Sequence, residues 1–169
     1  AREADLTAGQ AWTGWHVMEK DLWPGASGVK AKTPAERKLL ADQLVADTTS
    51  LYDRTRTITF TANEIANGAK SLLDEVATGK VTGEEEIWSH TDLYDFQANV
   101  DGARVAWQGL QPLLKKKDAS LDSTLTLKFA ALQKLLDQHR QGDGFVSYTA
   151  LTKPQVKELA DAVNALAEP

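Results

Sequence analysis

Residues 121–140, LDSTLTLKFAALQKLLDQHR, decide the fold class. Leu125, Phe129, Leu132, Leu135 and Leu136 recur at spacings of three and four, which puts them on one side of an α-helix and leaves the charged and polar residues on the other. The same period runs outward in both directions, and no stretch of the chain alternates in the manner of a half-buried strand. Upstream, helices are predicted over 7–22, 33–57, 61–79 and 82–110; downstream, one over 153–167 carries Val156, Leu159, Val163 and Leu166. Their boundaries are signalled chemically. Thr33-Pro34-Ala35-Glu36 and Thr82-Gly83-Glu84-Glu85 both read as capping boxes, in which a threonine oxygen and a glutamate three residues later satisfy each other's orphan amides. Pro24-Gly25 and Pro112 read as stops, Gly79 as a C-terminal cap, and 141–147, QGDGFVS, as a turn-rich break. Amphipathic helices with short connections bury their stripes most simply as an antiparallel bundle of the four-helix type, so the chain reads as all-α and as a single helical unit over 1–169.

Composition narrows the chemistry. The 169 residues carry 42% hydrophobic and 25% charged side chains, an ordinary globular balance, and no apolar run is long enough to cross a bilayer. The formal net charge of −5, with Lys115 to Lys117 as the one basic run, excludes a nucleic-acid backbone as partner; that triplet reads as a solvated helix end suited to the helix dipole. There is no cysteine, so a bound metal must be held by nitrogen and oxygen donors, which suit iron, manganese, zinc or calcium. Residues 1–10 show no apolar core of a signal peptide, and a mature or truncated chain would look the same.

Two stretches break the apolar pattern. In WTGWHVMEKDLW, 12–23, helical spacing places Trp12, His16, Glu19 and Trp23 on one face, so that an imidazole and a carboxylate one turn apart sit within an aromatic stripe. They are close enough to share a metal ion or a proton; equally, they can hydrogen-bond each other at the edge of a core. In the predicted helix over 82–110, Glu85, Ser89, Asp92, Phe96, Asn99 and Ala103 share a face where an apolar stripe is expected. Glu75, beside Val76 at the edge of the preceding helix's apolar face, is expected to point inward, and inward carboxylates facing His16 and Glu19 would make a mixed site of the kind helical bundles use for metals. Each has a plainer reading: Glu85 closing the capping box with Thr82, Glu84 and Glu86 as first-turn charges, His90 and Asp92 as a surface pair, and His139 as a partner of a helix dipole. Trp88, Tyr94 and Trp107 read as core rather than as a platform for sugars.

The same two stretches carry a family resemblance. GWHVMEKDLW resembles the GxHxxE motif of imelysin-like domains, and KVTGEEEIWSHTDLYDFQANVDGA resembles the signature of the EfeO-type branch, whose members are bacterial periplasmic or cell-surface iron-uptake proteins, many of them lipoproteins. Agreement runs from LLDEVATGK through NVDGA and continues more weakly into the final helices. The resemblance implies a double four-helix bundle of which this chain is the C-terminal part, the N-terminal bundle being absent. It also implies a metal site at His16 and Glu19, completed by acidic residues among Glu75, Glu84, Glu85 and Asp92. The expected ligand is iron, as Fe(III) or Fe(II), with zinc or copper as further metals. The expected partners are a membrane permease, a redox protein and the missing N-terminal half. Two rival functions follow from relatives of the family: binding of an acidic polysaccharide such as alginate through a bridging metal, and metallopeptidase activity. A zinc peptidase needs about three protein ligands, an open water position and a general base, and the chain has no HExxH, so a binding protein rather than an enzyme is expected.

Overall fold

The computed structural model describes residues 7–9, 12–78, 83 and 85–168, and they are helical with one two-stranded hairpin. The chain divides into two compact units, Ala1–Thr59 and Phe60–Pro169.

The first unit holds α1 (Trp15–Leu22), α2 (Pro24–Ser27) and α3 (Pro34–Thr55). The predicted helix over 7–22 is half that length because Gly14, with φ 96°, takes a backbone conformation that side-chain-bearing residues avoid, and the helix begins only after it. α1 ends at Leu22, as Pro24 and Gly25 predict, and Pro24 opens a separate short helix. It sits in the first turn of α2, where its missing N–H costs nothing, and Gly28 in the left-handed conformation closes that turn. α3 starts as the sequence predicts: Glu36 N–H donates to Thr33 Oγ1 (3.3 Å) and Thr33 N–H donates back to Glu36 Oε2 (2.7 Å). The bonds that Thr33 N–H and the Thr33 hydroxyl donate to Glu36 Oε2 hold that carboxyl below its usual pKa. α3 buries none of its residues, and Leu39, Val45, Leu51 and Tyr52 are exposed along it.

The second unit is a four-helix bundle of α4 (Ala62–Thr78), α5 (Asp92–Lys117), α6 (Ala119–Asp137) and α7 (Lys153–Ala167). α4 and α6 each pack against both α5 and α7, closing a ring. α5 and α6 are joined through Asp118 alone and run antiparallel: Gln97 bonds Gln133 (3.0 Å) while Trp107, ten residues further on, bonds Asp122 (3.2 Å). Val76, Phe96, Val100, Leu132, Leu136, Leu159 and Val163 form the middle of the core, all essentially without solvent exposure. Each large apolar side chain so placed contributes about 1.5–3 kcal/mol of hydrophobic stabilisation. The ends are capped by Asp118, which accepts from Leu121 N–H (2.9 Å), and by a Thr152–Gln155 capping box.

Three boundaries in this unit differ from expectation. The helix predicted over 82–110 begins at Asp92, because residues 85–91 form turns in which His90 takes φ 56°. It then runs through Pro112 to Lys117; the proline removes one backbone bond, while Leu110, Leu113 and Leu114 continue the apolar side of the helix. The helix predicted over 121–140 ends at Asp137, and His139 lies two residues beyond it. It is buried, with its carbonyl accepting from Val146 N–H (3.0 Å). Inside the predicted break lies the hairpin of β1 (Arg140–Gln141) and β2 (Gly144–Phe145), turned by Gly142 at φ 58°. Thr82 and Gly79, and with them the second capping box and the C-terminal cap, lie outside the described residues.

Candidate metal site

His16 and Glu19 lie on α1 with His16 Nδ1 3.3 Å from Glu19 Oε2. The one-turn spacing read from the sequence is therefore realised as a direct approach. Glu19 is buried and His16 half-buried, so the pair sits at the edge of solvent rather than on an open surface. The flanking aromatics do not form the predicted stripe. Trp12 precedes the helix and lies under Lys20 Nζ, 5.0 Å from the ring centroid, while Trp15 and Trp23 are exposed.

What holds α1 in place is a residue the sequence did not single out. Asp21 is buried, accepts from Lys32 N–H (2.5 Å) and pairs with Arg37 Nε (2.6 Å), tying α1 to the start of α3. The backbone bond from Lys32 and the Arg37 guanidinium hold its carboxyl below the usual aspartate range. No local motif announces this clamp, because its partners lie eleven and sixteen residues away.

Such a pair can work in two ways. It can hold a proton between nitrogen and oxygen, or it can give both atoms to one cation. Two ligand atoms about 2.1 Å from a shared ion lie about 3.0–3.4 Å apart, depending on octahedral or tetrahedral geometry, so His16 and Glu19 need not separate to coordinate. The donor set, one imidazole nitrogen and one carboxylate oxygen, fits iron, zinc or copper.

The second motif belongs to the bundle unit. Glu75 is exposed on α4, because Leu73 and Val76 take the core-facing positions, so the inward orientation expected of it is not found. Glu85 and Glu86 are half-buried in the turns before α5; Glu86 is therefore not a first-turn helix charge. Ser89 Oγ donates to Glu86 Oε2 (3.3 Å), and Glu86 N–H donates to Asp92 Oδ1 (3.2 Å). Asp92, expected either at the site or on the surface, is completely buried at the start of α5, and its Oδ2 has no hydrogen-bond partner among the described residues. The left-handed His90 between them passes its carbonyl to Tyr148 N–H (2.9 Å), and the Tyr148 ring lies so close over Gly83, at φ 71°, that a Cβ there would come within 2.5 Å of it. Burial, with Asp92's charge second, pushes the Tyr148 hydroxyl pKa up. This loop is built from backbone conformations and a buried carboxylate that cost stability, a pattern that concentrates at functional sites.

Comparison with known proteins gives a consistent picture. The imelysin family model matches residues 1–169. A Staphylococcus haemolyticus (strain JCSC1435) protein named "Efem/EfeO family lipoprotein" is 44% identical over 158 residues, covering 94% of this chain and 53% of its own length. A protein of the same name from Staphylococcus aureus (strain NCTC 8325 / PS 47) is 41% identical over 159 residues, covering 94% of this chain and 54% of its own. The chain thus spans about half the length of these curated relatives.

Proposed function

The chain belongs to the imelysin family, and from that premise we propose that it is a metal-binding protein of a bacterial iron-uptake system, working outside the cytoplasm. Iron is its cargo rather than a resident cofactor. The observation that carries the reading is the His16–Glu19 pair, a nitrogen and an oxygen donor held 3.3 Å apart on a helix fixed by the buried Asp21 clamp. His16 contributes one imidazole nitrogen and Glu19 one carboxylate oxygen. Fe(III) prefers further hard oxygen ligands beside this pair, and the acidic residues expected from the sequence, Glu75, Glu85 and Asp92, are each tested below for that role. An extracytoplasmic location is supported by the relatives' name, lipoprotein, and no helix among the described residues is long and apolar enough to cross a membrane. A membrane permease and a redox protein are the partners such a carrier requires.

The family model also carries a peptidase label. We favour binding over hydrolysis because the sequence has no HExxH, the helical motif that supplies a zinc peptidase with two histidine ligands and its general base. The test is titration of chelator-stripped protein with Fe(II), Fe(III), Zn(II) and Cu(II), with His16→Ala, Glu19→Ala, Glu75→Gln, Glu85→Gln and Asp92→Asn read for loss of affinity. Unchanged affinity in both the His16 and Glu19 variants contradicts the proposal, and an unaffected acidic variant removes that residue from the ligand set.

A further inference from the structure

At the end of the bundle where α4 and α6 begin and α5 and α7 end, the core does not close. A cavity of about 360 Å³ opens there among the helices. Its floor is the buried Leu73, Ala103, Phe129 and Leu166, and Trp107 stands in its wall. Along α4 it extends from Asn63 to Leu73, ten residues of helix or about 15 Å. Volume, apolar lining and position between the helices of a bundle are those of a small-molecule site rather than of a packing defect.

The polar groups at this cavity are few and of one sign. Besides Asn63 they are Lys70 and Lys117. Lys70 is already engaged, donating to Asp74 Oδ2 (3.0 Å) and Glu168 Oε1 (3.4 Å). Lys115 points to Asp122 (4.0 Å). Lys117, exposed at the last turn of α5, has no carboxylate paired with it among the described residues. An apolar slot, half open to solvent, with one uncompensated ammonium in its lining is complementary to a molecule with an apolar tail and an anionic head.

We propose that this cavity binds a single-chain fatty carboxylate, its acyl chain lying along α4 toward Phe129 and its carboxylate paired with Lys117. Its lining residues all belong to the second unit, and the inference does not depend on the reading of His16 and Glu19. An acidic protein of net charge −5 would otherwise disfavour such a ligand.

The test is calorimetric titration of the chelator-treated 169-residue chain with dodecanoate below its micellar concentration, and with dodecanol as the uncharged counterpart. The expected result is saturable one-to-one binding of dodecanoate. Ala66→Phe, at an exposed lining position, fills the slot and weakens binding at least tenfold. Lys117→Glu weakens dodecanoate at least threefold and leaves dodecanol unchanged. Should Ala66→Phe fail to fold by circular dichroism, Leu113→Glu, at another exposed lining position, provides the same reading. Absence of saturable binding by the intact chain overturns the proposal, as does equal affinity in the slot-filling variant. Self-association abolished by Leu113→Glu without dodecanoate binding assigns the cavity to a second copy and also overturns it. So does pelleting with phosphatidylglycerol vesicles in a protein that ignores monomeric dodecanoate.

Discussion

Replacing Phe96 by alanine measures whether the polar-looking stripe of α5 faces the core. Phe96 is 1% exposed and shares the core with Leu93, Val100, Leu132 and Leu136. Truncation removes the whole ring from a site where the neighbours are on rigid helices and can collapse only partly, so transfer and cavity costs add to about 3–5 kcal/mol. A unit of 110 residues is stable by about 5–16 kcal/mol, so the loss is a large fraction of the total. Urea unfolding followed by far-ultraviolet circular dichroism should show a lower midpoint with an unchanged slope, and the thermal midpoint should fall by roughly 10–25 °C. Phe96→Leu, which keeps most of the volume, should cost about 1–1.5 kcal/mol. A loss below about 1 kcal/mol in Phe96→Ala would refute the packing of α5 described above, because no fully buried phenylalanine in a close-packed core is that cheap to remove.

Asp122 is buried between α5 and α6, accepting from Trp107 Nε1–H (3.2 Å); Asp122→Ala should cost about 1.5–3 kcal/mol by thermal unfolding and Asp122→Asn, which keeps an acceptor, clearly less. Asp21 makes the first unit acid-sensitive. Its folded pKa is depressed below 3.8, so its stabilisation is fully present above that value and is lost as pH falls through the lower folded value. Amide exchange of α1 should therefore accelerate below about pH 4, and Asp21→Asn should be looser at neutral pH with little further change on acidification. Acceleration of equal size in both proteins would show that the Lys32–Asp21–Arg37 clamp is not the cause.

The helices were legible where one face is apolar and the other charged, as in α4, α6 and α7, and the Thr33 capping box was legible because its chemistry is local. What sequence spacing could not show is where backbone conformation overrides periodicity. Gly14 and His90, both at positive φ, cut two predicted helices short, although 85–103 keeps a helical repeat of side chains throughout. Pro112 did not act as a stop: α5 runs through it to Lys117. At the candidate site, the approach of His16 to Glu19 followed directly from the i, i+3 spacing, whereas Glu75 was placed one position off the core-facing stripe. Asp21 was invisible because its partners are brought to it by the turn after α2, and the buried Asp92 reads in sequence as a mid-helix acid, at a metal site or in a surface pair with His90.

Whether the pair on α1 binds a metal ion is decided by calorimetric titration of chelator-stripped protein with iron beside the double variant His16→Ala, Glu19→Ala. Stoichiometric binding is expected of the intact chain, weakened by acid as protons compete for the imidazole, and absent from a double variant that retains its helical signal. Binding of equal strength in both proteins would contradict it and leave the 3.3 Å contact between His16 and Glu19 as a hydrogen bond with a structural role alone.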